Sequence, residues 1–201
     1  DNRAGVIPFE IAAKAPPDGY TLLVNGGGTW ITPLLQKVPY DAVSDFSPIS
    51  LIVREVAIVA VNPAVPAKSI KELIALAKSK PGVLNFASDA PGGIANLSGA
   101  LLNSMAGVNI VNVPYKGNPA GVAALIGGEV QLMIVDAALL APHVKSGKLR
   151  ALAVTSATPT ALFPDLPTVA ASGLPGYEAV GRTGIWAPAK TPEVVINRLN
   201  Q

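Results

Sequence analysis

The chain contains no cysteine and a single histidine among its 201 residues. The first absence excludes disulfides, thiolate metal sites and cysteine nucleophiles, and it leaves the redox compartment open. The second absence is nearly as restrictive. A zinc enzyme needs a cluster of ligands and a serine triad needs a histidine base, so either would have to run through His143. That residue lies in Ala141-Pro142-His143-Val144 without an acidic neighbour, the setting of a surface histidine. No metal site and no cofactor is expected. Charge is also scarce at 14% of residues, and the 15 basic and 13 acidic groups are scattered evenly for a net charge of +2. No basic stripe is available to follow a phosphate backbone, so nucleic acid is not an expected partner. No apolar run approaches the ~20 residues that span a bilayer, although the mean hydropathy is +0.43. The opening Asp1-Asn2-Arg3 lacks the basic start and apolar core of a signal peptide, which leaves a cytosolic protein or a processed or cut form.

What the chain does have is apolar residues, half of the total, together with 19 glycines and 19 prolines spread without a period. Such a chain can bury a substantial core in one or two domains and needs many connections. The pattern alternates. Strand-like runs occur at Tyr20 to Val24, Ile49 to Val53, Val56 to Val61, Val83 to Ala87, Ile110 to Val113, Val130 to Val135, Ala151 to Val154 and, more briefly, Ile185 to Ala187. The second and third, parted by Arg54-Glu55, read as strands buried on both faces. Between the runs lie helical patterns. Ser69-Ile70-Lys71-Glu72 has capping-box spacing before a helix stopped at Pro81-Gly82, and Leu97, Leu101, Leu102 and Met105 mark a helix ended by Gly107. Asn118-Pro119 reads as an N-cap and first turn, Leu139 to Lys145 as a short helix, and Thr191-Pro192-Glu193 as a helix start. Alternation of this kind predicts the α/β class, with parallel or mixed sheets covered by helices. In open α/β sheets, ligands sit outside the carboxyl ends of the strands.

Three loops stand at such ends. Gly26-Gly27-Gly28-Thr29 offers free backbone N–H groups and a hydroxyl, suited to an anion or simply to a turn. It matches neither a dinucleotide fingerprint nor a phosphate loop. Ser88 to Gly93 leads through Pro91-Gly92-Gly93 into a helix whose N-terminus would favour a carboxylate, or it is a plain connection. Tyr115-Lys116-Gly117-Asn118 alone adds a full positive charge, either a counter-ion or a solvated lysine. Asp136, at the end of an apolar run, must find donors, by capping a turn or by touching a ligand. No acid/base pair and no nucleophile elbow accompany these loops. They describe a binder.

The same residues carry a family likeness. Pro17-Asp18-Gly19-Tyr20-Thr21-Leu22-Leu23, Pro39-Tyr40-Asp41, Val113-Pro114-Tyr115-Lys116-Gly117 and Gly147-Lys148-Leu149-Arg150-Ala151-Leu152-Ala153 follow Asp1-Asn2-Arg3 in order. Phe163-Pro164-Asp165-Leu166-Pro167-Thr168-Val169 and Ala187-Pro188-Ala189-Lys190-Thr191-Pro192 complete the set. With these the sequence resembles the periplasmic solute-binding receptors of the tripartite tricarboxylate transporters, the Bug family. The resemblance implies a two-lobed, periplasmic-binding-protein-like (type II) α/β fold, each lobe a mixed sheet flanked by helices. It places the first lobe at 1–55 with 182–201 and the second at 56–181. It implies a periplasmic protein, not itself membrane-embedded, that captures a small organic carboxylate in an interlobe cleft without catalysis and delivers it to membrane transporter subunits. A ligand sensor would look the same in sequence, and an enzyme acting on such acids is a weaker alternative.

The departures from the family pattern lie at the ends. Members usually begin with an extra segment that includes a strand and a Pro-rich loop forming one wall of the site, and they continue beyond Leu199. Ala4-Gly5-Val6-Ile7-Pro8 also lacks the expected glycine-rich run. The expectation is therefore an incomplete first lobe with uncovered apolar surface, as in a proteolytic or cut fragment. Carried over by position, the ligand candidates are Thr29, Ser88, Gly92, Gly93, Tyr115, Lys116, Gly117 and Asp136.

Overall fold

The computed structural model describes residues 6–89 and 91–201. Asp1-Asn2-Arg3 and Ala4-Gly5, noted above, lie outside the described residues. The chain divides into two compact units, one made of Asp1–Arg54 with Gly181–Gln201 and the other of Glu55–Val180.

The Glu55–Val180 unit is built on a mixed sheet. The second half of β2 (Phe46–Val61) pairs antiparallel with both β5 (Leu132–Asp136) and β6 (Arg150–Val154). β3 (Asn85–Ser88) pairs parallel with β5 on one side and with β4 (Val111–Pro114) on the other. Three parallel strands, β5, β3 and β4, thus end on one edge, and each feeds a helix. Those helices are α4 (Ile94–Ala106) after β3, α5 (Asn118–Gly127) after β4 and α6 (Ala137–Lys145) after β5.

The middle of the sheet is covered on both faces, with Ala57 to Val61 of β2, Phe86 to Ser88 of β3 and Leu132 to Val135 of β5 buried throughout, whereas β4 at its edge is largely exposed. Along β5, Leu132 and Ile134 join Leu73 of α3 (Ile70–Ser79) and Leu102 of α4 in one core, while Met133 and Val135 join Val122 and Leu125 of α5 and Leu140 of α6 in another. Full burial of each such side chain is worth ~1.5 to 3 kcal/mol. Local signals place the helices in register with these faces. The Ser69 hydroxyl accepts the Glu72 N–H at 3.2 Å, and Glu72 Oε2 reaches back to accept the N–H of Lys68, the residue before the N-cap, at 2.6 Å, a one-residue variant of the capping box. Gly107, at φ +61°, ends α4 in the left-handed conformation that glycine adopts without strain.

The other unit packs Phe9 of α1 (Ile7–Lys14) on Tyr40, ring centroids 5.2 Å apart, and Tyr40 on Phe46. β1 (Leu23–Asn25) pairs antiparallel with β7 (Val180–Pro188), Val24 opposite Ile185. α2 (Gly28–Leu35) and α7 (Glu193–Leu199) complete it. Tyr20, Leu34 and Val43 of this unit are exposed.

The structure corrects several sequence expectations. Ile49 to Val53 and Val56 to Val61 are one 16-residue strand, because Arg54 and Glu55 do not interrupt backbone pairing. Only the Ala57 to Val61 part is buried on both faces; Leu51, Ile52 and Val53 are about half exposed. The Gly26 to Thr29 loop is the opening of α2, whose Gly27 is the N-cap. In α5 the N-cap is Gly117, and Asn118 is already helical.

Candidate functional site

Seven of the eight sequence candidates fall on the carboxyl edge of β3, β4 and β5. Ser88 is the last residue of β3 and is fully buried, its hydroxyl donating to the Asp89 carbonyl at 3.2 Å. Gly92, at φ +84°, donates its N–H to Asn96 Oδ1, and Gly93 is the N-cap of α4. The Tyr115 N–H donates to the Ser88 carbonyl at 2.9 Å, so the loop after β4 is stitched to the end of β3. Lys116 follows, exposed, and then Gly117 at φ +88° opens α5. Asp136 closes β5, and its carboxylate accepts the Ala138 N–H at 2.6 Å as the N-cap of α6.

These three helix starts differ in a way that matters for binding. α6 is capped by its own aspartate, whereas α4 and α5 begin on glycines with no side-chain cap. An uncapped start leaves backbone N–H groups pointing outward and a partial charge of roughly +0.5 behind them, the arrangement that attracts a carboxylate. Of the four side chains, Lys116 supplies the free charge. Asp136 is already engaged at α6, the bland alternative for that residue. Tyr115 contributes its backbone N–H to this edge. Burial and the Glu129 carboxylate both push its phenol above the ordinary tyrosine value.

Thr29 belongs to the other unit. It is fully buried in the first turn of α2, and its hydroxyl finds no hydrogen-bond partner, while its carbonyl accepts the Tyr40 hydroxyl at 3.4 Å.

Two residues of the same edge were not among the ligand candidates read from the sequence, although both lie in the loops singled out there. Asp89 Oδ1 and Asn118 Oδ1 are buried acceptors with no donor, and buried polar atoms in that state call for a partner. Burial raises the Asp89 carboxyl above the ordinary aspartate value, against the pull of nearby N–H groups, that of Asn96 among them. The available sequence signal was an acidic residue in an otherwise small and uncharged strand-to-helix loop.

A groove of about 230 Å³ at the opposite edge, lined by Asn62, Val65, Leu84 and Gln131, is a weaker candidate. Its polar groups are spent on the fold: the Asn62 amide donates to Leu125 and Ile126 carbonyls, and Gln131 Oε1 accepts the Asn85 N–H. Among the described residues no cluster of histidine, aspartate and glutamate could hold a metal ion, and no helix is long and apolar enough to cross a membrane.

The chain has relatives among known proteins. The family model described as the tripartite tricarboxylate transporter family receptor matches residues 1–201. A UPF0065 protein encoded between tcbD and tcbE in Pseudomonas sp. is 37% identical over all of this chain and 61% of its own length. BugT of Bordetella pertussis is 34% identical, again over all of this chain and 63% of its own. Among solved structures, an R. palustris protein with adipate is 35% identical with a TM-score of 0.83, over 96% of this chain and 66% of that one. MatC from Rhodopseudomonas palustris with bound malate is 30% identical with a TM-score of 0.81, over 98% and 68%. The chain spans about three fifths of the length of the curated relatives it matches. Its α/β architecture is that of periplasmic binding proteins such as BugD, which it matches with a TM-score of 0.80. With a family model matched from end to end and relatives above the 30% level across the chain, this protein belongs to the tripartite tricarboxylate transporter receptor family.

Proposed function

We propose that the chain is the ligand-capturing part of a periplasmic solute-binding receptor that takes up a small organic carboxylate and presents it to a membrane transporter of the tripartite tricarboxylate type. The observation that carries this reading is the pair of helix starts on adjacent parallel strands, α4 at Gly93, faced by the Asp89 carboxyl, and α5 at Gly117, which has no side-chain cap and has Lys116 beside it. Backbone N–H groups fixed by helices need no reorganisation to receive an anion, and a lysine one residue from the second start adds a mobile counter-charge. Ser88, Gly92, Gly93, Tyr115, Lys116 and Gly117 form the binding edge in this reading, with Asp136 in a supporting place. The adipate and malate seen in the R. palustris relatives support the ligand class, and the receptor family supports binding rather than turnover.

The test is titration calorimetry with adipate, malate, succinate and citrate and with the half-amides adipamate and succinamate, followed by recovery of each acid from the mixture. Saturable binding with the acid returned unchanged is expected. Conversion of any of them, or heats no larger than dilution for all of them, would reject the reading.

A further inference from the structure

Asp89 places a full negative charge where a solute carboxylate would otherwise be received. It follows Ser88 directly and lies against the first turn of α4, so closely that a Cβ added at Gly93 would collide with both of its carboxylate oxygens. The partial positive charge of that helix start is therefore already answered, and a second carboxylate there would meet a like charge. Yet Asp89 is only partly satisfied, with backbone N–H groups such as that of Asn96 acting on its carboxyl. Its Oδ1 is buried without a donor, and the causes acting on its ionisation include no basic group.

The opposite polarity stands one loop away. Ser88 and Tyr115 are joined by a backbone hydrogen bond of 2.9 Å, and the next residue on each side is Asp89 on one and Lys116 on the other. Lys116 adjoins the start of α5, which has no side-chain cap. The edge is thus two-ended, an acceptor in want of a donor at the β3–α4 loop and an anion-receiving helix start at the β4–α5 loop. Asn118 Oδ1, also buried without a partner, borders the second. An asparagine amide can turn to offer either its oxygen or its nitrogen, whereas an ionised carboxylate only accepts, so Asp89 decides the polarity.

We infer that Asp89 is a specificity-determining residue, selecting a solute with a carboxylate at one end, toward Lys116 and α5, and a hydrogen-bond donor, an amide or an ammonium, at the other. This rests on the solute-binding reading above. Symmetric diacids are then poor solutes because one of their carboxylates must face Asp89. Discrimination here uses an unpaired acceptor and like-charge repulsion together.

The experiment compares isosteric pairs, succinate with succinamate and adipate with adipamate, on the wild-type chain and on Asp89→Asn, by calorimetry at neutral pH. The wild type should bind the half-amide of at least one pair about tenfold or more tighter than its diacid. Asp89→Asn should lose or reverse that preference while melting no lower than the wild type, since it removes a buried charge. Lys116→Gln should weaken both members of a pair alike. A wild type that binds a diacid at least as tightly as its half-amide overturns the inference and leaves the receptor reading standing, as does a preference that survives in Asp89→Asn. A folded chain that binds neither member of either pair overturns the inference and counts against the receptor reading with it.

Discussion

Replacing Gly99 by alanine puts the packing that positions α4 under direct test. Gly99 lies on the buried face of α4, and a Cβ there would run into the ring of Phe86, which is 2% exposed in β3. In an unobstructed helix the change from glycine to alanine stabilises by ~1 kcal/mol through backbone entropy. Overpacking a well-filled core costs ~1 to 3 kcal/mol. Three ring carbons lie within collision range and the ring is enclosed by the core cluster, so the steric cost falls in the upper part of that range, ~1.5 to 3 kcal/mol, and the net loss is roughly 0.5 to 2 kcal/mol. At ~2 to 4 °C per kcal/mol for a chain of this size, Gly99→Ala should melt ~1 to 8 °C below the wild type in a calorimetric scan. Gly127→Ala is the matched contrast. That glycine is helical, has a negative φ and has nothing within 4 Å of an added Cβ, so the same substitution should stabilise by ~0.5 kcal/mol. Combining Gly99→Ala with Phe86→Leu should recover part of the loss. A Gly99→Ala protein that melts at or above the wild type would refute the close approach of α4 to β3, and with it the placement of the α4 N-terminus over the strand end.

The remaining predictions concern the frame around the site. Ser69→Ala removes the N-cap of α3 and should cost ~1 kcal/mol by urea unfolding, with no change in the denaturant slope. Arg150→Lys keeps the charge but loses the fork that donates to the Pro63, Val65 and Ala67 carbonyls, and should destabilise by ~1 to 2 kcal/mol. Tyr177, almost fully buried, donates its hydroxyl to the Ser98 carbonyl at 3.0 Å, and burial raises its pKa well above the ordinary tyrosine value. A raised folded-state pKa means that the associated stability is present below the unfolded value and is lost as pH climbs above it. The wild type should therefore lose stability above about pH 10 more steeply than Tyr177→Phe, in thermal scans across the alkaline range.

How much of this was legible in the sequence depended on whether a local signal agreed with the tertiary outcome. The Ser69 capping box, the Gly107 stop and the apolar run of β5 were readable because capping chemistry and two-sided burial act within a few residues. α1 escaped because in eight residues it buries only Phe9 and Ala12, too short a stripe to show a period. α2 was disguised by Gly28 at its first position and Pro33 inside it, both of which read as breakers. Arg54 and Glu55 suggested a break in β2 because charged side chains look like punctuation, although a ladder needs only backbone groups. At the site, glycine-bearing strand-to-helix loops announced themselves. The burial of Asp89 did not, since it follows from the contact of its carboxyl with the start of α4 at Gly93.

The central claim is that the solute binds along the edge where α4 and α5 begin, with a carboxylate at the α5 start, and backbone amide chemical shifts read that location directly. Titrating adipate, or its half-amide where that binds tighter, into isotope-labelled protein should move the amide resonances of Gly93, Ile94 and Ala95 and of Gly117, Asn118 and Ala120 in one saturable process. Saturable shifts confined to the groove around Asn62 and Gln131, with the α4 and α5 starts unmoved, would contradict the account.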